Sequence, residues 1–152
     1  MTAKGILVVV DDPGWRKFRG LMPRLERAAA AAARAARLRG SLTILLSSDR
    51  KLRSLNRAFR GKDRPTNVLS FPAAPNSGHY RGDVALALGV TRREAKASNK
   101  NVSDHATHLV VHGVLHLAGY DHVRVRDAKM MEALEIKILH RLGITDPYEA
   151  AG

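Results

Sequence analysis

The stretch His112–His122, HGVLHLAGYDH, constrains this chain more than any other part of it. Its histidines stand at offsets 0, 4 and 10, with a glycine at offset 7. Two residues at i and i+4 share one face of an α-helix, one above the other. His112 and His116 therefore ask for a helix. Gly119 then permits a sharp reversal, because glycine accepts positive φ at little cost. The reversal can carry His122 back over the first two rings. The fold has to supply a helix, a glycine turn and room for three imidazoles at one point.

Three protein ligands plus one open position is the pattern of a catalytic zinc ion. A lone i, i+4 pair reads as ordinary histidines on a half-buried helix, but the full spacing with its glycine reads as a metal site. The chain has no cysteine, so thiolate ligands and disulfides are excluded. His105 and His108 lie on the same helical face as His112 and His116. Three ligands along one straight face span two turns, roughly 10 Å, too far for one ion. His105, His108, His79 and His140 are read as packing, surface or RNA-contacting residues.

The layout matches the zinc-protease signature HExxHxxGxxH except at its second position, where Gly113 replaces the general base. Peptide hydrolysis is thereby the weaker reading. Phosphodiester cleavage asks less of a protein base, because positioning and neutralisation of phosphoryl oxygens do most of the work. RNA also brings its own 2′-hydroxyl. The remaining requirement is a cation at the phosphate, for which arginine has a suitable planar fork. Two other readings stay open: a zinc-stabilised RNA-binding assembly factor that does not cut, and a metal hydrolase of a peptide or small phosphoester.

Charge favours the nucleic-acid readings. Lys and Arg number 26 against 14 Asp and Glu, a net charge of +12 over 152 residues. Such a surface attracts polyanions. Exchange of lysine for arginine in a GC-rich genome leaves charge unchanged and does not produce the excess. The length is that of one domain, spanning 1–152. The apolar run Ile6–Val10 is too short for a signal peptide or a membrane span, so a soluble, cytoplasmic protein without a membrane partner is expected.

Along the chain, strands are expected at Ile6–Val10, Leu42–Leu46, Asn67–Phe71 (stopped by Pro72) and Gly82–Leu88. Helices are expected at Trp15–Arg39 with Gly40 as C′ residue, at Asp49–Phe59 with Leu52, Leu55 and Phe59 as apolar stripe, and at Thr91–Lys100. Two more follow at Asp104–Ala118, capped by Ser103 or Asp104, and at Asp127–Leu142, ended by Gly143. Gly61–Thr66 and Ala73–His79 read as loops. Arg24, Arg27, Arg34 and Arg37 fall on one broad face of the first helix, read as a solvated face ahead of an RNA-facing stripe. The sum is an α/β (α+β) fold: one small mixed sheet of about four strands packed with about five helices, the histidine helix carrying the metal.

Two blocks, FRGKDRPTNVLSFP at Phe59–Pro72 and HGVLHLAGYDH, resemble those of the YbeY family of bacterial rRNA-maturation endoribonucleases. GDVAL after Arg81 and the helix MMEALEIKIL support the resemblance, which spans Leu42 to Ile144. It implies one Zn2+ held by His112, His116 and His122. It implies single-strand-specific cleavage of ribosomal RNA, chiefly at the 3′ end of the small-subunit RNA, and a part in ribosome quality control. The small ribosomal subunit, one of its proteins and an assembly GTPase are the implied partners. The family's important arginine falls on Arg60, where the chemical argument wants a phosphate clamp. Zinc would activate water or polarise the phosphate, and Arg60 would stabilise the phosphoryl charge. Lys62, Asp63 and Arg64 read equally as RNA contacts, Lys62 and Arg64 on phosphates, and as a solvated loop. Thr66 and Asn67 read as ties between loop and sheet, and Asp83 and Asp121 as structural, with orientation of a histidine or the role of proton acceptor open to Asp121. The alanine-arginine helix, the tail TDPYEAAG and the stretch Leu86–Val90 have no place in the family pattern.

Overall fold

The computed structural model describes residues 5–64, 66–121 and 124–148. Four strands form one mixed sheet: β1 (Ile6–Val10), β2 (Ser41–Ser47), β3 (Val68–Pro72) and β4 (Tyr80–Ala87). Their spatial order is β1-β2-β4-β3. β1 runs parallel to β2 and β2 parallel to β4, while β3 pairs antiparallel with β4. Five α-helices complete the fold: α1 (Leu21–Ala35), α2 (Asp49–Arg60), α3 (Leu88–Ala97), α4 (Val102–Leu117) and α5 (Val125–Arg141). This is the small mixed α/β architecture that the patterning predicts. No helix among the described residues is long and apolar enough to cross a membrane.

Period-two alternation divides the sheet into two faces. Leu42, Ile44, Leu46, Val84 and Leu86 point to the main core. There they meet Leu25, Ala28, Ala29 and Ala32 of α1 and Val110, Val111, Val114 and Leu115 of α4. The alanines of α1 let that helix lie close to its neighbours, while Arg27 and Arg34 stay exposed and Arg24 pairs with Asp104. The other face carries a smaller cluster of Leu52, Leu69, Ala85 and Ala87, with Leu55 and Phe71 half-buried beside it.

Several boundaries differ from the sequence reading, each for a local reason. The helix expected from Trp15 to Arg39 is two pieces. A 3-10 turn, Pro13–Lys17, is capped by Asp12, whose carboxylate accepts from the Gly14 N–H at 2.9 Å. Gly20 then sits at φ +71 and breaks the run before α1. Trp15 is locked in the core and donates to the Ser47 carbonyl at 2.9 Å. The far end of α1 closes on Arg37, at φ +57, with the Leu38 N–H reaching back to the Ala33 carbonyl at 2.8 Å. Gly40 serves another need: a Cβ there would lie 2.2 Å from the His79 carbonyl oxygen.

Pro72 is the last residue of β3, paired with Gly82, and β4 begins at Tyr80, not Gly82. Helix α3 follows β4 without a loop, starting at Leu88 instead of Thr91 and ending at Ala97 instead of Lys100. Its first turn is capped from across the fold, the Asp49 carboxylate accepting from the Val90 N–H at 3.0 Å. A remote cap leaves no local signal, which is why LALGV looks irregular as sequence. Helix α4 begins at Val102, and its N-cap is Asn101, whose side chain accepts from the Asp104 N–H at 2.7 Å, in place of Ser103 or Asp104. Phe59 does not belong to the buried stripe of α2; it is 69% exposed.

Helix α4 lies closely against β4. A Cβ on Gly113 would stand 2.4 Å from Val84 Cγ1, and the Gly113 carbonyl accepts from Ser70 Oγ at 2.8 Å. Val84 is wholly buried and β-branched, so it has little freedom to move aside. Gly113→Ala should therefore lower stability by about 1–2 kcal/mol net, overpacking outweighing the helix propensity gained. Urea denaturation checks this; a more stable variant would show that α4 can lift off the strand.

Candidate functional site

Helix α4 presents His105, His108, His112 and His116 along one half-buried face. Its C-terminus closes as a Schellman turn: the Tyr120 N–H bonds the Leu115 carbonyl at 3.1 Å and the Gly119 N–H bonds the His116 carbonyl at 3.0 Å. Gly119 takes φ +98, the conformation the spacing demanded. The turn sends the chain onward through Tyr120 and Asp121. His122, the third expected ligand, lies outside the described residues.

The Nε2 atoms of His112 and His116 are 3.0 Å apart. Two ligands of a tetrahedral zinc ion with bonds of 2.0–2.1 Å would be separated by roughly 3.3 Å. The pair stands at hydrogen-bond distance, a little inside the edge of such a site. Among the described residues no third His, Asp or Glu completes it.

A residue the sequence reading missed sets the chemistry of this pair. Glu135 of α5 is fully buried, and its Oε1 lies 2.6 Å from His112 Nδ1. Its Oε2 lies 3.0 Å from His108 Nε2 and accepts from the Tyr148 hydroxyl at 2.5 Å. Burial by itself raises the pKa of Glu135; the bonds from His108, His112 and Tyr148 outweigh it and bring the carboxyl down to about 2. An ionised carboxylate only accepts. His112 must then carry its proton on Nδ1, which leaves a lone pair on Nε2, the atom facing His116. The same reasoning protonates His108 at Nε2. Glu135 had a sequence signal: it occupies a core position of α5, in register with Met131, Ile138 and Leu139.

Tyr148 docks the tail beside the histidine row, with Lys100 Nζ donating to the Pro147 carbonyl at 3.1 Å. Burial, then the Glu135 carboxylate, pushes the Tyr148 hydroxyl pKa far up. At the other end of the row, His105 Nε2 lies 2.9 Å from Glu94, and Glu94 also accepts from Asn67 Nδ2 at 3.0 Å. Asn67 Oδ1 takes the Val68 N–H at 2.7 Å, and the Asn67 backbone carbonyl accepts from the Ala87 N–H of β4 at 2.9 Å, which ties the loop to the sheet.

Arg60 ends α2 and is exposed, with Gly61 turning the chain at φ +68. It lines a groove of about 740 Å³ on the second face of the sheet, whereas His112 lines a separate cavity of about 400 Å³ with Asn67 and Val68. Strand β3 lies between the two: Ser70 borders the groove and bonds the residue next to His112. Lys62 and Arg64 are exposed. Buried Asn56 fixes their loop, its backbone carbonyl accepting from the Lys62 N–H at 3.3 Å and its side-chain Nδ2 donating to the Arg64 carbonyl at 3.1 Å. Asp63 turns back to Arg53 at 2.9 Å. Helix α2 itself is a cationic face, with Arg50, Lys51, Arg53, Arg57 and Arg60 exposed and Asp49 its one acid. Asp83 accepts a hydrogen bond from the Tyr80 hydroxyl, whose oxygen lies 2.8 Å from Thr43 Oγ1 and accepts from it.

Comparison with known proteins bears on these groups. The sequence profile described as Endoribonuclease YbeY matches residues 17–143. Endoribonuclease YbeY of Maricaulis maris is 43% identical, over 93% of this chain and 89% of its own length. That of Chelativorans sp. is 48% identical, over 91% of this chain and 87% of its own. The solution structure of TM1509 from Thermotoga maritima superposes with a TM-score of 0.61 at 25% identity, over 95% of this chain and 99% of that one.

Burial lowers the His105 pKa below its ordinary value, and the Glu94 carboxylate opposes this without cancelling it. The folded state thus holds His105 neutral where the unfolded chain, with a pKa of about 6.5, takes up a proton. Its contribution to stability is complete above that value and is lost as pH falls through it. His105→Gln should flatten the decline in unfolding free energy between pH 7 and pH 5; an unchanged slope would remove His105 from the account.

Proposed function

Since the chain belongs to the Endoribonuclease YbeY family, an RNA-cleaving family, we propose that it is a zinc-dependent, single-strand-specific endoribonuclease of ribosomal RNA maturation. The observation that carries this reading is the convergence of His112 and His116 through Nε2, with His112 held in the required tautomer by buried Glu135. The proposed ligands are His112, His116 and His122. Carboxylate support behind a metal-binding histidine is the usual arrangement for orienting the ring and raising its basicity. The chemistry a zinc ion supplies in such a site is Lewis acidity toward a phosphoryl oxygen or a water.

The protein's own groups account for the remaining tasks. Arg60 presents a planar cation beside the groove, suited to two phosphoryl oxygens at once. Lys62 and Arg64, on a loop pinned by Asn56, extend that charge along the RNA backbone. The net charge of +12 draws the polyanion in and makes binding steeply salt-dependent. Gly113 explains the absent protease base. Its position faces Val84 across a gap too small for a Cβ, so a carboxylate there would be driven into the sheet and away from any substrate. The substrate we assign is the small-subunit precursor RNA at its 3′ end, in the cytoplasm, with a small-subunit ribosomal protein and an assembly GTPase as recruiting partners in ribosome quality control.

The test is cleavage of a labelled small-subunit precursor RNA by the purified protein beside Arg60→Ala and His116→Ala. Wild type should cut; Arg60→Ala should lose roughly 100-fold or more in rate, the scale of one lost charge-stabilising donor, while keeping full metal content. His116→Ala should lose both metal, measured by elemental analysis, and cleavage. Full metal stoichiometry in His116→Ala would refute the ligand assignment. Absence of cleavage in every sample, with metal bound, would favour a non-cutting assembly factor.

A further inference from the structure

We infer that the groove on the second face of the sheet receives an unpaired nucleobase, with the Phe59 ring as its stacking platform and the adjoining phosphate on Arg60 and Lys51. The inference rests on the RNA-cleaving function above and specifies how the substrate is held.

The sheet is unevenly covered. Its main face is covered by α1 and α4, but on the other face α2 packs Leu52 and Leu55 against Leu69, Ala85 and Ala87. An open groove of about 740 Å³ is left over Thr43, Phe71 and Asp83. Phe59 stands at its side. A phenylalanine that is 69% exposed presents most of its apolar area to whatever enters the groove. It meets Phe71 edge to face, ring centroids 5.2 Å apart. This contact braces the ring from one side and leaves most of its surface uncovered.

The polar groups around the rings decide what the occupant is. The groove is cationic at Lys51 and Arg60, on the exposed basic face of α2. Its floor is not: Asp83 is a carboxylate, fixed by the Tyr80 hydroxyl. A phosphate at the floor would be repelled and at the cations attracted. An aromatic base meets the opposite preference, since it stacks on Phe59 and offers its edge to the acceptor and hydroxyl of Asp83 and Thr43. Cations that track a backbone, combined with aromatic rings that take bases, form the usual recognition surface for single-stranded nucleic acid. A duplex offers no free base face, so the same groove would enforce single-strand preference. A protein segment would use the apolar rings but has no use for the pattern of charges.

The test measures binding without cleavage. Fluorescence anisotropy compares a short 2′-O-methyl single strand with the same strand made abasic at its central nucleotides. The probes are wild type, Phe59→Ala, Phe59→Leu and Phe59→Tyr, each checked for unchanged melting temperature. Wild type should prefer the intact strand by at least about fivefold, the low end of base–aromatic stacking. Phe59→Ala and Phe59→Leu should bring that preference close to parity, and Phe59→Tyr should keep it. A preference unchanged in Phe59→Ala, or kept by Phe59→Leu, would overturn the stacking role and leave the groove to a protein partner. Equal binding of both strands by wild type would likewise overturn it while leaving the nuclease reading intact. Failure of wild type to bind either strand would sink both.

Discussion

Helix α4 rests on β4 with no space for a side chain at Gly113, and that approach determines where the other functional groups stand. With Val84 pressed against the helix backbone, Leu109, Val110 and Val114 are turned into the core. The next positions around the helix, His105, His108, His112 and His116, are left as a half-buried row. Ser70, bonded to the Gly113 carbonyl, brings β3 along the same helix. The distance between the histidine row and the groove under α2 is thus the thickness of one edge strand.

Glu135 solves a second problem. A row of four imidazoles is a poor thing to bury, since each has a donor and an acceptor to satisfy and every proton added repels the next. One ionised carboxylate bonded by two rings and a tyrosine hydroxyl removes the ambiguity. It fixes both tautomers and places a negative charge beside the histidine row. Breaking such a buried cluster by removing one member costs far more than an exposed pair does. Its three partners come from α4 and from the tail at Tyr148, so the cluster also ties the end of the chain to the middle of the fold.

Periodic features were legible in the sequence, and relations across space were not. The histidine helix, its glycine turn, the four strands and the mixed α/β class all follow from local pattern. So does the exposure of Arg27 and Arg34 on α1, whereas Arg24 pairs with Asp104 and Arg37 lies past the helix end. Asn101 was passed over for Ser103 and Asp104 because all three residues are good caps and only the backbone distinguishes them. Asp49 capping α3 is invisible locally, since donor and acceptor are 41 residues apart. Phe59 fitted an apolar stripe, yet the sheet face beneath it is not covered that far. Arg60 was found by its neighbours in sequence; that it borders a groove separate from the cavity of His112 is a matter of topology. Glu135 stood in a core position and was read as part of a helix pattern, when a carboxylate at such a position needs a partner to explain it.

Strand β1 carries a different consequence. It is the outer strand of the sheet, pairs only with β2 among the described residues, and shows Leu7 and Val9 to solvent at 60% and 38% exposure. Ile6–Val10 contains no lysine, proline or bulge, the devices that commonly guard an edge. The charge of +12 that each copy carries opposes the addition of one edge to another. That defence has a range: the Debye length shrinks from about 10 Å at 0.1 M salt to about 3 Å at 1 M. The same cations that attract a polyanion therefore also oppose edge pairing, and both effects weaken together as salt rises.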